Sequence, residues 1–96
     1  MYARMVIGEA ISDEQVKEFA RLYNEEVVPQ LKNESGFSSA QLMVEEGGRM
    51  AVSLTVWSSR EDCVRSHSSR SYRQFVTKTQ HLLIGEFVVK LFHCAN

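Results

Sequence analysis

Apolar residues recur along this chain with two periods in turn. From Tyr2 to Glu9 the step is two: Ala3, Met5 and Ile7 alternate with Tyr2, Arg4 and Val6, which predicts a strand with little fully polar surface on either side. Beyond Ser12 the step becomes three and four. Val16, Phe19, Ala20, Tyr23, Val27 and Leu31 fall on one stripe of a helix. Ser12 and Gln15 have capping-box spacing, and Asp13 and Glu14 put negative charge where the helix dipole favours it. Pro29 has no N–H for the carbonyl of Glu25, so a kink or a helix end is expected there. Asn33 to Gly36 reads as the exit, with Gly36 free to turn left-handed.

The period of two then returns. Phe37 to Glu45 predicts a second strand, with Ala40, Leu42 and Val44 on one face and Ser39, Gln41 and Met43 on the other. Gly47 and Gly48 are a hairpin signal. Met50 to Trp57 is the third strand: Met50, Val52, Leu54 and Val56 oppose Ala51, Ser53, Thr55 and Trp57. Ser58 and Ser59 are both suited to cap a helical region reaching about Leu83. The serines at 66, 68, 69 and 71 are a place for it to break, and Ser71 with Gln74 is a candidate cap for the second segment. Tyr72, Phe75, Val76, Thr79 and Leu83 give that segment its buried stripe, and Gly85 is a stop signal. Phe87 to Cys94 is nearly continuous in apolar residues, as in a strand covered on both sides.

This order, strand–helix–strand–strand–helix–strand, suits an α+β domain of the ferredoxin-like βαββαβ type with a four-stranded antiparallel sheet. Residues 1–96 are one domain. Helices on one face of the sheet should leave the other polar in a monomer, yet both faces hold several large apolar side chains. A symmetric homodimer, sheet face against sheet face, is the expected solution.

Composition narrows the function classes. A net charge of −1 offers no basic face for nucleic acid. No apolar run reaches the ~18 residues of a membrane span, and the first residues are too short and too alternating for a signal peptide. Cys63 and Cys94 form no CxxC pair and are expected to be free thiols in a reducing cytoplasm. His67, His81 and His93 lack metal-binding spacing, so no metal site is expected.

Several segments carry a resemblance: Pro29-Gln30-Leu31 followed by Gly36-Phe37, the strand from Val52 to Trp57, the run Trp57-Ser58-Ser59-Arg60-Glu61-Asp62, then His67 and Tyr72-Arg73-Gln74-Phe75. Together they resemble the dimeric α+β barrel proteins, in particular the antibiotic-biosynthesis-monooxygenase-like (ABM-like) domains. The resemblance implies a ferredoxin-like protomer, a dimeric α+β barrel, and in some members a cofactor-independent monooxygenase that forms quinones from small aromatic or polyketide-like molecules. Those members use an asparagine on strand three, the strand-end tryptophan, and tyrosine and arginine from the following helix. Trp57 matches. Ser53 stands where the asparagine would be, and Cys63 near the tyrosine position. Haem-degrading members need an axial histidine and a second tryptophan that this chain lacks.

The expected site therefore lies under the helices. Trp57, Tyr72, Ser53 and Tyr23 are its expected lining, with a small aromatic ligand and no cofactor. His67 is the candidate catalytic acid or base, because an unperturbed imidazole titrates near neutral pH. Competing readings stand beside these: Trp57 as a core aromatic, His67 as a helix-end residue bonded to backbone, and Tyr72 as part of the buried stripe. Arg4 is expected to be solvated at a sheet margin or paired with a carboxylate; inward-facing, it and His93 would add polarity to a cavity. A non-catalytic small-ligand-binding or accessory dimeric module is the alternative function.

Overall fold

Strand β1 (Tyr2–Ala10) lies in the middle of the sheet in the computed structural model, which describes all residues from Met1 to Asn96. It pairs antiparallel with β3 (Met50–Trp57) on one side and β4 (Leu83–His93) on the other, and β2 (Phe37–Val44) pairs with β3. The spatial order β2-β3-β1-β4 is the split βαβ arrangement. The α+β ferredoxin-like fold read from the sequence is thus observed.

Register decides which side chains meet the helices. Arg4 lies opposite Thr55, Val6 opposite Ser53 and Gly8 opposite Ala51, so these residues share one face with Tyr2 and Trp57. Met5 and Leu54, Ile7 and Val52, and Ala3 and Val56 share the other. All helices lie on the first face. α1 (Asp13–Leu22) buries Val16, Phe19 and Leu22 there, beside Ala10, Ala51, Phe75, Leu82 and Leu83. The Ser12 hydroxyl accepts from the Gln15 N–H at 3.3 Å, and the Gln15 side chain meets that hydroxyl rather than the backbone N–H a full capping box uses.

The kink expected at Pro29 takes a definite form. Tyr23–Val27 is a π-helical turn, closed by the Val28 N–H donating to the Tyr23 carbonyl five residues back. The wider turn precedes Pro29, whose ring would clash with the carbonyl four residues before it in a regular helix. α2 (Val28–Leu31) then completes the path and buries Leu31 against Trp57 and Cys63.

α3 (Arg60–His67) and α4 (Arg70–Thr79) form the second helical layer. The break falls in the serine-rich stretch, at Ser68 and Ser69. The α4 cap is Ser69, which accepts from the Tyr72 N–H at 3.2 Å; Ser71 does not fill that role, because it already lies inside the helix. The helix ends at Thr79, and a 3-10 turn (Gln80–Leu82) leads directly into β4. Gly85, expected to stop the helix, sits within β4 at φ 68°, beside the register shift between Ile7 and Glu9. It shapes a bulge that lets β4 begin four residues earlier than expected. β4 is not covered on both sides either: Val88, Leu91 and Phe92 remain 44–49% exposed.

Gly36, at φ 80°, turns the chain from α2 into β2, and its carbonyl accepts from the Ser58 N–H at 2.8 Å. A methyl group there would collide with the Asp62 carboxylate, which accepts from the hydroxyls of Ser58 and Ser59 at the start of α3. Gly36→Ala should therefore lower stability by about 1–2 kcal/mol from the left-handed backbone alone. Urea denaturation measures this, and an unchanged midpoint would refute the role given to Gly36.

Candidate functional site

Beneath α1, the π turn and α4, the helix-facing side chains of β1 and β3 do not fill the space between the layers. Arg4, Val6, Ala51, Ser53 and Thr55 form the floor of a cavity, with Phe19, Tyr23, Val27, Leu31, Tyr72, Phe75 and Phe87 as walls. It is about 30 Å³, room for roughly one or two water molecules. Beside it, between α4 and the β4 bulge, lies a larger open cleft of about 330 Å³ lined by His67, Tyr72, Val76, Gln80, Leu83, Gly85, Glu86 and Phe87. Tyr72 and Phe87 belong to both and form the partition.

The polar groups of the inner cavity follow from strand alternation. Ser53 and Thr55 are two residues apart on β3 and therefore share a face. The Ser53 hydroxyl pairs with the Tyr23 hydroxyl at 2.6 Å. Burial raises the Tyr23 phenol pKa, against the opposing pull of the Ser53 hydrogen bond and the Arg4 charge. Thr55 accepts from Trp57 Nε1 at 2.9 Å. Trp57 is fully buried, edge-on to Phe37 at 5.5 Å, and lines neither space. Its expected place on the pocket wall is thus corrected to the core. The α2 turn brings Leu31 down onto the indole and closes it off.

Arg4 is the residue the sequence reading misplaced. It is only 3% exposed and pairs with no carboxylate. Nη1 donates to the Cys63 carbonyl at 3.2 Å and to the Ser66 hydroxyl. The guanidinium carbon lies 5.3 Å from the Tyr72 ring centroid and 5.8 Å from that of Trp57. Burial pulls the guanidinium pKa below its ordinary value. One signal was available: Arg4 is in phase with Val6 and Gly8, so alternation alone puts it inward if they are inward. Phe75 and Phe87 also line the cavity and were read only as stripe and strand. His93, by contrast, is exposed, its ring tilted against that of Tyr2 at 5.2 Å, far from an interior polar role.

His67 closes α3. Its ring lies 4.8 Å from Tyr72, and Nδ1 is buried without a partner, so the backbone hydrogen bond expected of a helix-end histidine is not made. The Tyr72 hydroxyl makes no hydrogen bond, whereas its N–H donates to the Ser69 hydroxyl. Burial pushes the Tyr72 phenol pKa up. The structure therefore brings Tyr23, Ser53 and Tyr72 to the inner cavity, sets His67 across Tyr72 in the outer cleft, and leaves Trp57 behind the floor. No group of three His, Cys, Asp or Glu side chains is placed to hold a metal ion, and no helix is long and apolar enough to cross a membrane.

A four-stranded antiparallel sheet with helices on one face and a cavity between the layers defines a broad class; comparison with known proteins narrows it. The sequence profile of the antibiotic biosynthesis monooxygenases matches residues 4–78, and the chain belongs to that family. Among solved structures it is similar to the monooxygenase ActVA-Orf6 of Streptomyces coelicolor in complex with nanaomycin D (TM-score 0.87, 15% identity, 99% of this chain and 88% of that one). It is also similar to SnoaB, a cofactor-independent oxygenase of Streptomyces nogalater (TM-score 0.81, 14% identity, 99% and 93%). A third is Rv0793 of Mycobacterium tuberculosis (TM-score 0.79, 16% identity, 100% and 97%). At these identities the likeness is one of fold. No curated protein matches the sequence.

Burial lowers the His67 pKa, and the nearby Arg4 charge lowers it further. The unfolded chain, with an ordinary imidazole pKa of about 6.5, then takes up the proton first. The His67 contribution to stability is present in full above about pH 6.5 and is lost as pH falls through the folded value. Between pH 7.5 and 5 the melting temperature of the wild type should fall more steeply than that of His67→Gln. Parallel curves would show that the ring is not held in its neutral form.

Proposed function

We propose that this protein is a cofactor-independent monooxygenase that binds a small hydroxylated aromatic molecule in the outer cleft, with one edge reaching the inner cavity once Tyr72 swings aside. The observation that carries this reading is the shared partition. Tyr72, a phenol ring with no hydroxyl tether, stands with Phe87 between a largely apolar cavity and a cleft of about 330 Å³, and from the cleft side it meets the His67 imidazole, whose pKa burial lowers. The cleft is within the lower range of ligand pockets. A neutral imidazole can accept a phenolic proton at neutral pH. In the simplest balanced reaction a phenol and O2 give a quinone and water. One oxygen atom enters the ring carbon, the other leaves as water, and the substrate supplies all four electrons. The protein's part is to bind, deprotonate and exclude bulk water. In this proposal His67 takes the proton, Tyr72 stacks on the ring, and Ser53 and Tyr23 offer hydroxyls at its inner edge.

A second reading, a small-ligand binder without turnover, is favoured by Ser53. It stands where the family resemblance implies an asparagine on strand three in quinone-forming members, and its hydroxyl is already taken up by Tyr23. An oxygen electrode and a thermal-shift panel of naphthols and anthrones separate the two. Oxygen uptake with quinone formation, reduced about 10²-fold or more in His67→Gln, supports the enzyme. A melting shift without oxygen uptake supports the binder, and no shift across the panel removes both.

The assembly proposed is a homodimer through the open sheet face. That face carries Met5, Ile7, Val52, Leu54 and Val56, with Met43, Met50, Ile84, Val88 and Phe92 each 38–50% exposed. Each such side chain gains about 1.5–3 kcal/mol when fully buried, and an exposed apolar face of this kind, interrupted only by polar residues such as Lys90 and Gln41, usually marks an interface. Its two free thiols, Cys63 and Cys94, accord with a reducing cytoplasm. Sedimentation should show a dimer for the wild type and a folded monomer for Leu54→Lys; a wild-type monomer at micromolar concentration would overturn the assembly.

A further inference from the structure

Arg4 is the one ionic side chain among the buried residues, and no carboxylate lies within ion-pair distance of it. A guanidinium offers five N–H donors. Both of the hydrogen bonds that Arg4 makes leave from Nη1, one to the Cys63 carbonyl and one to the Ser66 hydroxyl. Nε is buried with no partner. The groups packed around it are the rings of Tyr72 and Trp57 and, further off, the Tyr23 phenol and the Glu34 carboxyl. Glu34 lies beyond ion-pair distance, although the two charges attract, and its Oε2 is also buried without a partner. The staple from β1 to α3 thus uses one nitrogen of three. Arg4 lines both the largely apolar inner cavity and a smaller, more polar one shared with Glu34, Ser66, Ser69 and Tyr72. Removing a cation from water without a close counter-charge is costly, and an anion in contact with the guanidinium would answer it more directly than the distant Glu34 does.

We propose that Arg4 is the specificity-determining residue at the inner edge of the site: once His67 has taken the proton it holds the ionised oxygen, so that the ligand is kept as a planar aromatic anion and not a neutral ring. This rests on the aromatic-ligand reading above and goes further, since it names the charge state of the ligand and the residue that selects it. The geometry suits the chemistry. Tyr72 covers the guanidinium at 5.3 Å, and its displacement exposes the charge to a ring lying in its place. A phenolate is also a better electron donor than a phenol, and a nearby cation favours the ionised form.

The test uses two ligands of nearly equal shape, 2-hydroxy-1,4-naphthoquinone, an anion at neutral pH, and its neutral methyl ether. Calorimetric titration of the wild type at pH 7 should show the anion binding about tenfold or more tightly, the usual worth of one charge-assisted hydrogen bond. Arg4→Met should bind both with similar affinity, and Arg4→Lys should keep part of the preference. A readout on the wild type alone covers the case in which Arg4→Met does not fold. The visible absorption of the bound hydroxyquinone should report half-protonation at least about one pH unit below that of the free ligand, the same tenfold expressed as linkage. Equal wild-type affinities, or an unshifted titration, would overturn the role of Arg4 and leave the aromatic-ligand reading intact. Failure of both ligands to bind would overturn both.

Discussion

A four-stranded sheet has two faces, and this chain has helices for only one of them. Everything else follows from how that asymmetry is met. On the covered face Val16, Phe19, Leu22, Phe75 and Leu82 close over Ala10 and Ala51 and form the larger core. On the other, Met5, Ile7, Val52 and Leu54 lie in unbroken register with nothing of the same chain above them. Helices docked on one side also fix where a cavity can form, because only there do two layers meet with side chains of unequal length.

The covered face is not a plain hydrocarbon core. β3 presents Ala51, Ser53, Thr55 and Trp57 in sequence, so hydroxyls occupy its middle. Each finds a partner: Ser53 with Tyr23, Thr55 with the Trp57 indole. Opposite Thr55, Arg4 enters the same layer from β1. The small residues at 51 and 53 on β3 do not reach far enough to fill the space under the helices, and a void persists beside these polar groups. At Gly8 a side chain would strike Phe87. The void is thus made by residue size on the strands and given its polarity by their hydroxyls and one cation.

Elements were legible where the cause was local. The alternation of Met50–Trp57, the Ser12 cap, the Gly47-Gly48 turn and the disruptive effect of Pro29 all act within a few residues, and each stands in the fold near its expected place. The position of Arg4 depends on Cys63 and Ser66, which lie about sixty residues away in sequence, and no local pattern announces them. Trp57 failed for the same reason: the turn around Pro29 sets how far Leu31 reaches over the indole, and that geometry is tertiary. The start of β4 was misread because Gly85 is a stop for a helix and a bulge for a strand, and only pairing with β1 decides between them. Tyr23, Ser53 and Tyr72 were legible as facing inward, whereas the separation of His67 from them by the Tyr72 ring was not.

The π turn at Tyr23–Val27 gives this chain an unusual intolerance of length. One extra residue is wound into that turn, so everything after it is rotated by about 100° relative to a regular helix. A single deletion between Tyr23 and Pro29 would restore ordinary winding and swing Val27 and Leu31 off the sheet, taking the lid of the cavity and the cover of Trp57 with them. Point substitutions at the exposed Asn24 and Glu25 leave the backbone count intact and should be absorbed by solvent. Across homologous chains the exposed positions of this segment should therefore vary freely while its length hardly varies at all, unlike the Glu45–Arg49 hairpin, where no cavity wall depends on the residue count.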